Sequence, residues 1–213
     1  MDELELLKKD WQKRNTDFPK LSYDELYKMI WKRSSSIVKW IFYISIIEFA
    51  FWSILAFFTN DMDHLRKFNS YHIDYITIPM NIIGYAVLLY FIVQFYFNYR
   101  KITVTDNTKV LMNNILKTRR TVKQYVWFNI IFFFVSFIVI AIVLLYYDQD
   151  LINSVEEAAH KDTTGLFYFS YIGIMVIAAS IIACIIWFLY RLIYGVLIQK
   201  LKKNYDELEK IEV

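Results

Sequence analysis

Four long apolar stretches dominate this chain and restrict what it can fold into. Crossing the hydrocarbon core of a bilayer takes roughly 20 apolar residues in helical form, and each stretch is apolar on nearly all sides rather than along one face. The 213 residues are 57% hydrophobic and include only four Gly and two Pro, which favours long helices with short connections. The sequence therefore predicts an all-α polytopic membrane protein with four transmembrane helices in two hairpins, at residues 37–58, 73–97, 125–147 and 166–190.

The Lys and Arg residues that flank these stretches are distributed asymmetrically. Eight precede the first stretch, seven lie between the second and the third, and five follow from Arg191 onward. The other two connections hold only Arg66, Lys67 and Lys161. Since cytoplasmic segments carry the excess of basic residues, both termini and the middle connection are predicted to face the cytoplasm. The charged first 35 residues lack the apolar core of a cleavable signal peptide.

The predicted organisation has a cytoplasmic N-terminal helical segment, a four-span transmembrane bundle and a cytoplasmic C-terminal helical tail, at residues 1–36, 37–198 and 199–213. Ser22 and Glu25 form the S-x-x-E pattern of a capping box. This pattern predicts one helix that begins at about Tyr23 and continues through the first span. Asp106 is predicted to cap the helix that enters the third span.

The residues after the fourth span continue a helical pattern. Apolar side chains recur with spacings of 4, 3, 4 and 3, as in a coiled-coil seam, at Tyr194, Ile198, Leu201, Tyr205 and Leu208. The run covers barely two heptads, which favours packing against another cytoplasmic helix over an isolated coiled coil. Three helical extensions are therefore expected to meet below the bilayer and to bury one another's apolar faces.

Glu48 is the most informative residue inside a span. It lies eleven residues into the first stretch, about 16 Å along the helix and so near the midplane of a bilayer. A carboxylate there is costly to bury and usually faces the bundle interior. Ser45 lies one turn earlier and Asn81 lies at a similar depth in the second stretch, so a hydrogen bond between Glu48 and Asn81 is predicted. Its role stays open between fixing helix register, handling protons or ions, and a regulated contact with a partner.

The cytoplasmic edge of the bundle carries further polar and basic residues. Gln94, Asn129 and Arg191 lie near the cytoplasmic ends of their stretches and either form a shallow polar cluster or are solvated separately. The middle connection has seven positive charges and one acidic residue. Such a segment suits anionic lipid headgroups, and an acidic protein partner is the alternative.

No sequence pattern is typical of catalysis, metal binding or nucleic-acid binding. A single cysteine, Cys184, excludes a disulfide framework or a thiolate metal cluster within one chain. The histidines, His64, His72 and His160, match no zinc spacing, and no phosphate loop, dinucleotide fingerprint or nucleophile elbow is present. A net charge of +3 provides no field that would recruit nucleic acid. The expectation is a protein without enzyme activity, metal, cofactor or nucleic-acid partner.

Two segments of the first quarter of the chain carry a resemblance. Asp2–Trp11 (DELELLKKDW) and Lys32–Trp40 (KRSSSIVKW), the latter running on to Glu48 and Phe49, resemble uncharacterised bacterial four-span membrane proteins. Members of that group are often encoded beside extracytoplasmic-function sigma factors. The resemblance implies a location in the bacterial inner (cytoplasmic) membrane, and a cytoplasmic part that holds a sigma factor there in an anti-sigma-like manner.

Two functions follow as hypotheses. The first is a non-enzymatic integral membrane regulator or scaffold that binds a cytoplasmic protein partner through apolar residues near the N-terminus: Leu4, Leu7, Trp11 and Phe18. The alternative is a small transporter or channel subunit that works through Glu48 and Asn81. The small pair Ala179 and Ala183 indicates close helix packing, either within the bundle or in a homo-oligomer.

Overall fold

A computed structural model of the chain describes residues 22–59, 74–105 and 107–212. Within these ranges the regular structure is entirely helical, which confirms the predicted fold class. The described residues form five helices: α1 (Tyr23–Thr59), α2 (Asp74–Thr103), α3 (Thr108–Tyr147), α4 (Gln149–His160) and α5 (Thr164–Glu212). Four of them, α1, α2, α3 and α5, are long and apolar enough to cross a membrane.

These four helices form a ring in which each packs on its neighbours in the order α1, α2, α3, α5 and back to α1. Consecutive long helices run antiparallel, because residues near the start of one contact residues near the end of its neighbour: Trp31 with Ile102, Tyr75 with Tyr147, and Tyr171 with Ala141. The end that holds Ser22, the α2–α3 connection and the last turns of α5 is here called the basic end. Helix α4 lies at the opposite end, in the connection between the third and fourth long helices.

The first residues of α1 and α3 show why these helices begin where they do. The Ser22 amide donates to Glu25 Oε2 at 2.9 Å, and the Glu25 amide donates to Ser22 Oγ at 3.3 Å, so the predicted capping box is formed. The cap of α3 is Asn107 rather than Asp106, which lies outside the described residues. Asn107 Oδ1 accepts from the Lys109 amide at 2.9 Å, satisfying a donor that has no partner within the helix.

The main buried cluster lies toward the basic end of the bundle. All four long helices contribute aliphatic side chains to it, among them Ile30 of α1, Ile102 of α2, Ile115 of α3, and Leu201 and Leu208 of α5. Each of these side chains is at most 1% exposed. Burying one such side chain fully contributes about 1.5–3 kcal/mol relative to leaving it in water. The cluster therefore holds all four long helices together at this end.

The seam predicted after the fourth span packs as expected. Tyr194, Leu201 and Leu208 are buried, and Ile198 and Tyr205 pack against the same cluster.

At the end of the bundle opposite the basic end, large apolar side chains point outward instead: Phe57 and Phe169 are 77% and 78% exposed. Outward apolar side chains are what lipid would solvate, whereas a buried cluster needs helix-on-helix packing. The tightest packing therefore lies at the basic end.

Hydrogen bonds connect α1 to α2 at the basic end. The Trp31 indole N–H donates to the Ile102 carbonyl at 2.8 Å, and the Tyr27 hydroxyl donates to the Thr105 carbonyl at 3.0 Å. Both acceptors lie at or just after the end of α2, where carbonyl groups lack partners within the helix. Side chains of α1 thus complete the hydrogen bonding of α2.

Candidate functional site

Glu48 lies on α1, eleven residues before the helix ends at Thr59. Its carboxylate accepts two hydrogen bonds from α5: one from the Tyr190 hydroxyl to Oε1, and one from the Tyr194 hydroxyl to Oε2 at 3.2 Å. Tyr190 and Tyr194 are four residues apart, so they project from the same face of α5. The two tyrosines therefore hydrogen-bond to both oxygens of one carboxylate.

A third tyrosine, Tyr125 of α3, completes the group, here called the tyrosine cluster (Glu48, Tyr125, Tyr190 and Tyr194). Its ring packs edge-on against the rings of Tyr190 and Tyr194, with centroids 6.1 and 5.8 Å apart. Phe91 of α2 contacts the same ring at 5.3 Å. The Tyr125 hydroxyl is buried beside the Glu48 carboxylate. All four long helices thus meet at this level.

A cavity of about 390 Å³ adjoins the tyrosine cluster on the side that faces away from the basic end. Residues of all four long helices line it, and most of them are apolar. Its lining includes the polar side chains of Asn81, Asn129 and Ser136, and the tyrosines Tyr85 and Tyr190. The buried Ser136 hydroxyl has no hydrogen-bond partner in the described part of the chain. Apolar walls with a few polar groups, at this volume, are typical of sites for small molecules.

The structure corrects the expected contact between Glu48 and Asn81. The carboxylate faces α5 and the tyrosines, whereas Asn81 lines the cavity. Phe49, the next residue of α1, faces α2 and packs on Tyr85 at 5.8 Å, so Glu48 is turned away from that helix. Ser45 is buried, and its hydroxyl donates to the Phe42 carbonyl of its own helix at 2.7 Å.

Of the two alternatives for Gln94, Asn129 and Arg191, the shared polar cluster is not formed, because the three side chains lie in different places. Gln94 Nε2 donates to the Tyr90 hydroxyl at 3.2 Å on α2. Asn129 lines the cavity and donates to the Tyr125 carbonyl at 2.8 Å. The Arg191 guanidinium lies over the Trp187 ring, 5.2 Å from its centroid. The predicted partner-binding residues, Leu4, Leu7, Trp11 and Phe18, lie outside the described residues.

The tyrosines are the site residues that the sequence analysis missed as partners of Glu48. Tyr190 and Tyr194 carry one signal, since their spacing of four places two hydroxyl groups on one helix face. That face also continues the apolar seam through Leu201 and Leu208, which packs inward. A carboxylate in the first span and two inward tyrosines in the last could have been paired on this basis.

No cluster of three or more His, Cys, Asp or Glu side chains that could hold a metal ion occurs among the described residues. His64 and His72 lie outside them. On α4, Glu157 is paired with Lys161 at 2.6 Å. The hydrogen bond and the positive charge of Lys161 lower the pKa of the Glu157 carboxyl.

The fold and the site together define an all-helical class of protein, with four helices long and apolar enough to cross a membrane and a polar cluster inside their bundle. Residues 24–213 match the family described as a domain of unknown function (DUF8845), and the chain belongs to this family. The match begins one residue after the start of α1, so it takes in the tyrosine cluster and the cavity. No curated protein and no solved structure matches the chain.

Proposed function

We propose that the protein is a non-enzymatic membrane regulator or scaffold whose basic end faces the cytoplasm and binds a protein partner. The observation that carries the proposal is the length of the helices. Crossing a bilayer takes roughly 20 residues, whereas α1, α3 and α5 have 37, 40 and 49. The additional turns hold much of the main buried cluster, including Ile30, Leu111 and Leu208, and membrane crossing alone does not require them.

Hydrogen bonds between the helices support a rigid surface at the basic end. Asn204 Nδ2 of α5 donates to Ser34 Oγ of α1 at 2.9 Å, and both residues are buried. Asn98 Nδ2 of α2 donates to Thr121 Oγ1 of α3 at 3.2 Å. A surface that is ordered before binding loses less conformational entropy when a partner docks. Such a platform suits recognition of a folded protein.

The charge distribution supports the proposed orientation. Eight Lys and Arg residues precede the first apolar stretch, seven lie in the middle connection and its flanks, and five follow from Arg191 onward. Basic segments of this kind remain on the cytoplasmic side. The resemblance to proteins encoded beside sigma factors suggests an anti-sigma-like role for the same surface, in the bacterial inner membrane.

Orientation is tested by thiol labelling in intact cells. In a Cys184→Ser background, Glu156→Cys on α4 is expected to react with a membrane-impermeant maleimide, and Lys210→Cys on α5 only after permeabilisation. Both native residues are exposed, so access to the reagent is matched. The reverse labelling pattern would contradict the proposed orientation.

Partner binding is tested by photo-crosslinking of the full-length protein in native membranes. A photoreactive amino acid at Trp11 is expected to capture a cytoplasmic protein, and the same amino acid at Glu156 is the matched control. Alanine at Leu4, Leu7, Trp11 and Phe18 together is expected to abolish copurification of that protein. Copurification that persists in this variant would exclude the N-terminal contact surface.

A small transporter or channel subunit is a second candidate, favoured by the placement of Glu48. The carboxylate accepts a hydrogen bond from Tyr190, which lines the cavity of about 390 Å³. A groove of about 330 Å³ between α1 and α5 is lined in part by Glu48. Uptake or conductance that is unchanged in Glu48→Gln would dismiss this candidate, because the substitution removes the ionisable group.

A further inference from the structure

A groove of about 510 Å³ lies between α2 and α3 near the basic end. One wall is formed by Tyr90 and Gln94 of α2. The other is a stripe along α3 with spacings of 4, 3 and 4, which places its members on one helix face: Asn113, Lys117, Arg120 and Gln124. This α2–α3 groove therefore presents two cations and three amide side chains.

Among the described residues, no acidic side chain neutralises the two cations of the α2–α3 groove. Lys117 and Arg120 are exposed, and neither forms an ion pair with a described residue. The described residues that line the groove include no carboxylate. An anion that entered the groove would therefore meet positive charge without competition from an acidic side chain.

The α2–α3 groove extends from the charged surface of the basic end to the apolar surface of the predicted spans. Lys117 lies eight residues before Tyr125, where the third apolar stretch begins, a distance of about 12 Å along the helix. Tyr90, on the other wall, lies inside the second apolar stretch. Beside the groove, Val93 of α2 and Trp127 of α3 are exposed. A phospholipid has the same profile, with an anionic phosphate at one end and acyl chains at the other.

We propose that the α2–α3 groove binds the phosphate of an anionic phospholipid. Arg120 offers a planar guanidinium that suits two phosphate oxygens, and Lys117 adds a point charge. The amide side chains of Asn113 and Gln124 line the same groove, one helical turn to either side of the two cations. The exposed apolar surface beside the groove favours a lipid over an acidic protein segment, because that surface would accommodate the acyl chains. The inference is independent of the proposed protein partner.

The test measures lipid retention by native mass spectrometry of the full-length, delipidated protein. Phosphatidylglycerol or phosphatidylcholine is added to the wild type, to Lys117→Gln/Arg120→Gln, and to Lys109→Gln/Lys123→Gln. The last variant removes two exposed cations of the same segment that do not line the groove. The first double variant is expected to bind phosphatidylglycerol roughly ten- to thirty-fold more weakly, as for two cations lost near an anionic lipid.

Three outcomes would overturn the proposal. Equal retention of the two lipids by the wild type would show that the groove does not select an anion. Equal losses in the two double variants would assign the effect to overall charge. Displacement of phosphatidylglycerol by equimolar inorganic phosphate would assign the groove to a soluble phosphate. Circular dichroism and thermal unfolding of each variant establish that a loss of binding is not a loss of fold.

Discussion

The hydroxyl group of Tyr194 donates a hydrogen bond to Oε2 of Glu48 at 3.2 Å. The two residues belong to α5 and α1, the last and the first of the long helices, so the contact closes the ring of four. Tyr190 holds the other carboxylate oxygen. A polar contact inside an apolar bundle fixes the rotation of a helix more sharply than apolar packing does, because misplacing it leaves polar groups unpaired.

Replacing Glu48 by Ala is expected to destabilise the bundle by about 1–3 kcal/mol, since two tyrosine hydroxyl groups lose their acceptor. Glu48→Gln should lose less, because its amide oxygen still accepts from one tyrosine. Unfolding in mixed micelles measures both values. Glu209→Ala, at an exposed position of α5, is the control. Equal stabilities of the Glu48→Ala and Glu209→Ala variants would contradict a structural role for the cluster.

Leu201→Ala is expected to loosen the basic end of the bundle. Leu201 is fully buried within the main cluster, and shortening a buried Leu to Ala typically removes about 2–5 kcal/mol. Limited proteolysis should then cut the last turns of α5 faster than in the wild type. Lys200→Ala, at the adjacent exposed position, should leave the rate unchanged. Similar cleavage rates for the two variants would show that these turns do not depend on the buried cluster.

The existence and the starts of the helices were predictable because their signals are local. The lengths of the apolar stretches predicted the four spans. The capping box of Ser22 and Glu25 predicted the start of α1 at Tyr23. For α3 two adjacent residues had capping side chains, and Asn107 holds the position expected of Asp106. The error is one residue, since either side chain is short enough to accept from the first helical amides.

The partner of Glu48 could not be predicted from the pattern of α1 itself, and the only signal lay in the spacing of Tyr190 and Tyr194 on α5. A helix that is apolar on nearly all sides carries no stripe to show which face meets which neighbour. Depth along the helix could be counted, and on that basis Asn81 was a reasonable partner. The rotation of α1 about its own axis cannot be obtained by counting residues. In the structure, this rotation turns Glu48 toward α5 and Phe49 toward α2.

Two glycines inside the spans are expected to respond differently to Ala. A Cβ atom at Gly84 would lie 3.0 Å from Phe132 Cε1, whereas one at Gly173 would meet nothing within 4 Å. Gly173→Ala should raise stability by about 0.5–1 kcal/mol through helix propensity. Gly84→Ala should gain less or lose stability, because the Phe132 ring must shift. Thermal unfolding compares them, and equal gains would contradict the close packing of α2 on α3.

The N-terminus of α1 is expected to fray in acid. The Ser22 amide and hydroxyl hydrogen-bond to the Glu25 carboxylate and hold its pKa below the ordinary value of 4.5. Because the folded pKa is depressed, the stabilisation is present above pH 4.5 and declines as the pH falls through the lowered pKa. Hydrogen exchange of the Ser22 amide, compared at each pH with Glu25→Gln, measures the effect. The Gln side chain keeps an acceptor but does not titrate, so wild type and variant should converge in acid. A constant difference between them at every pH would show that ionisation of Glu25 does not support the cap.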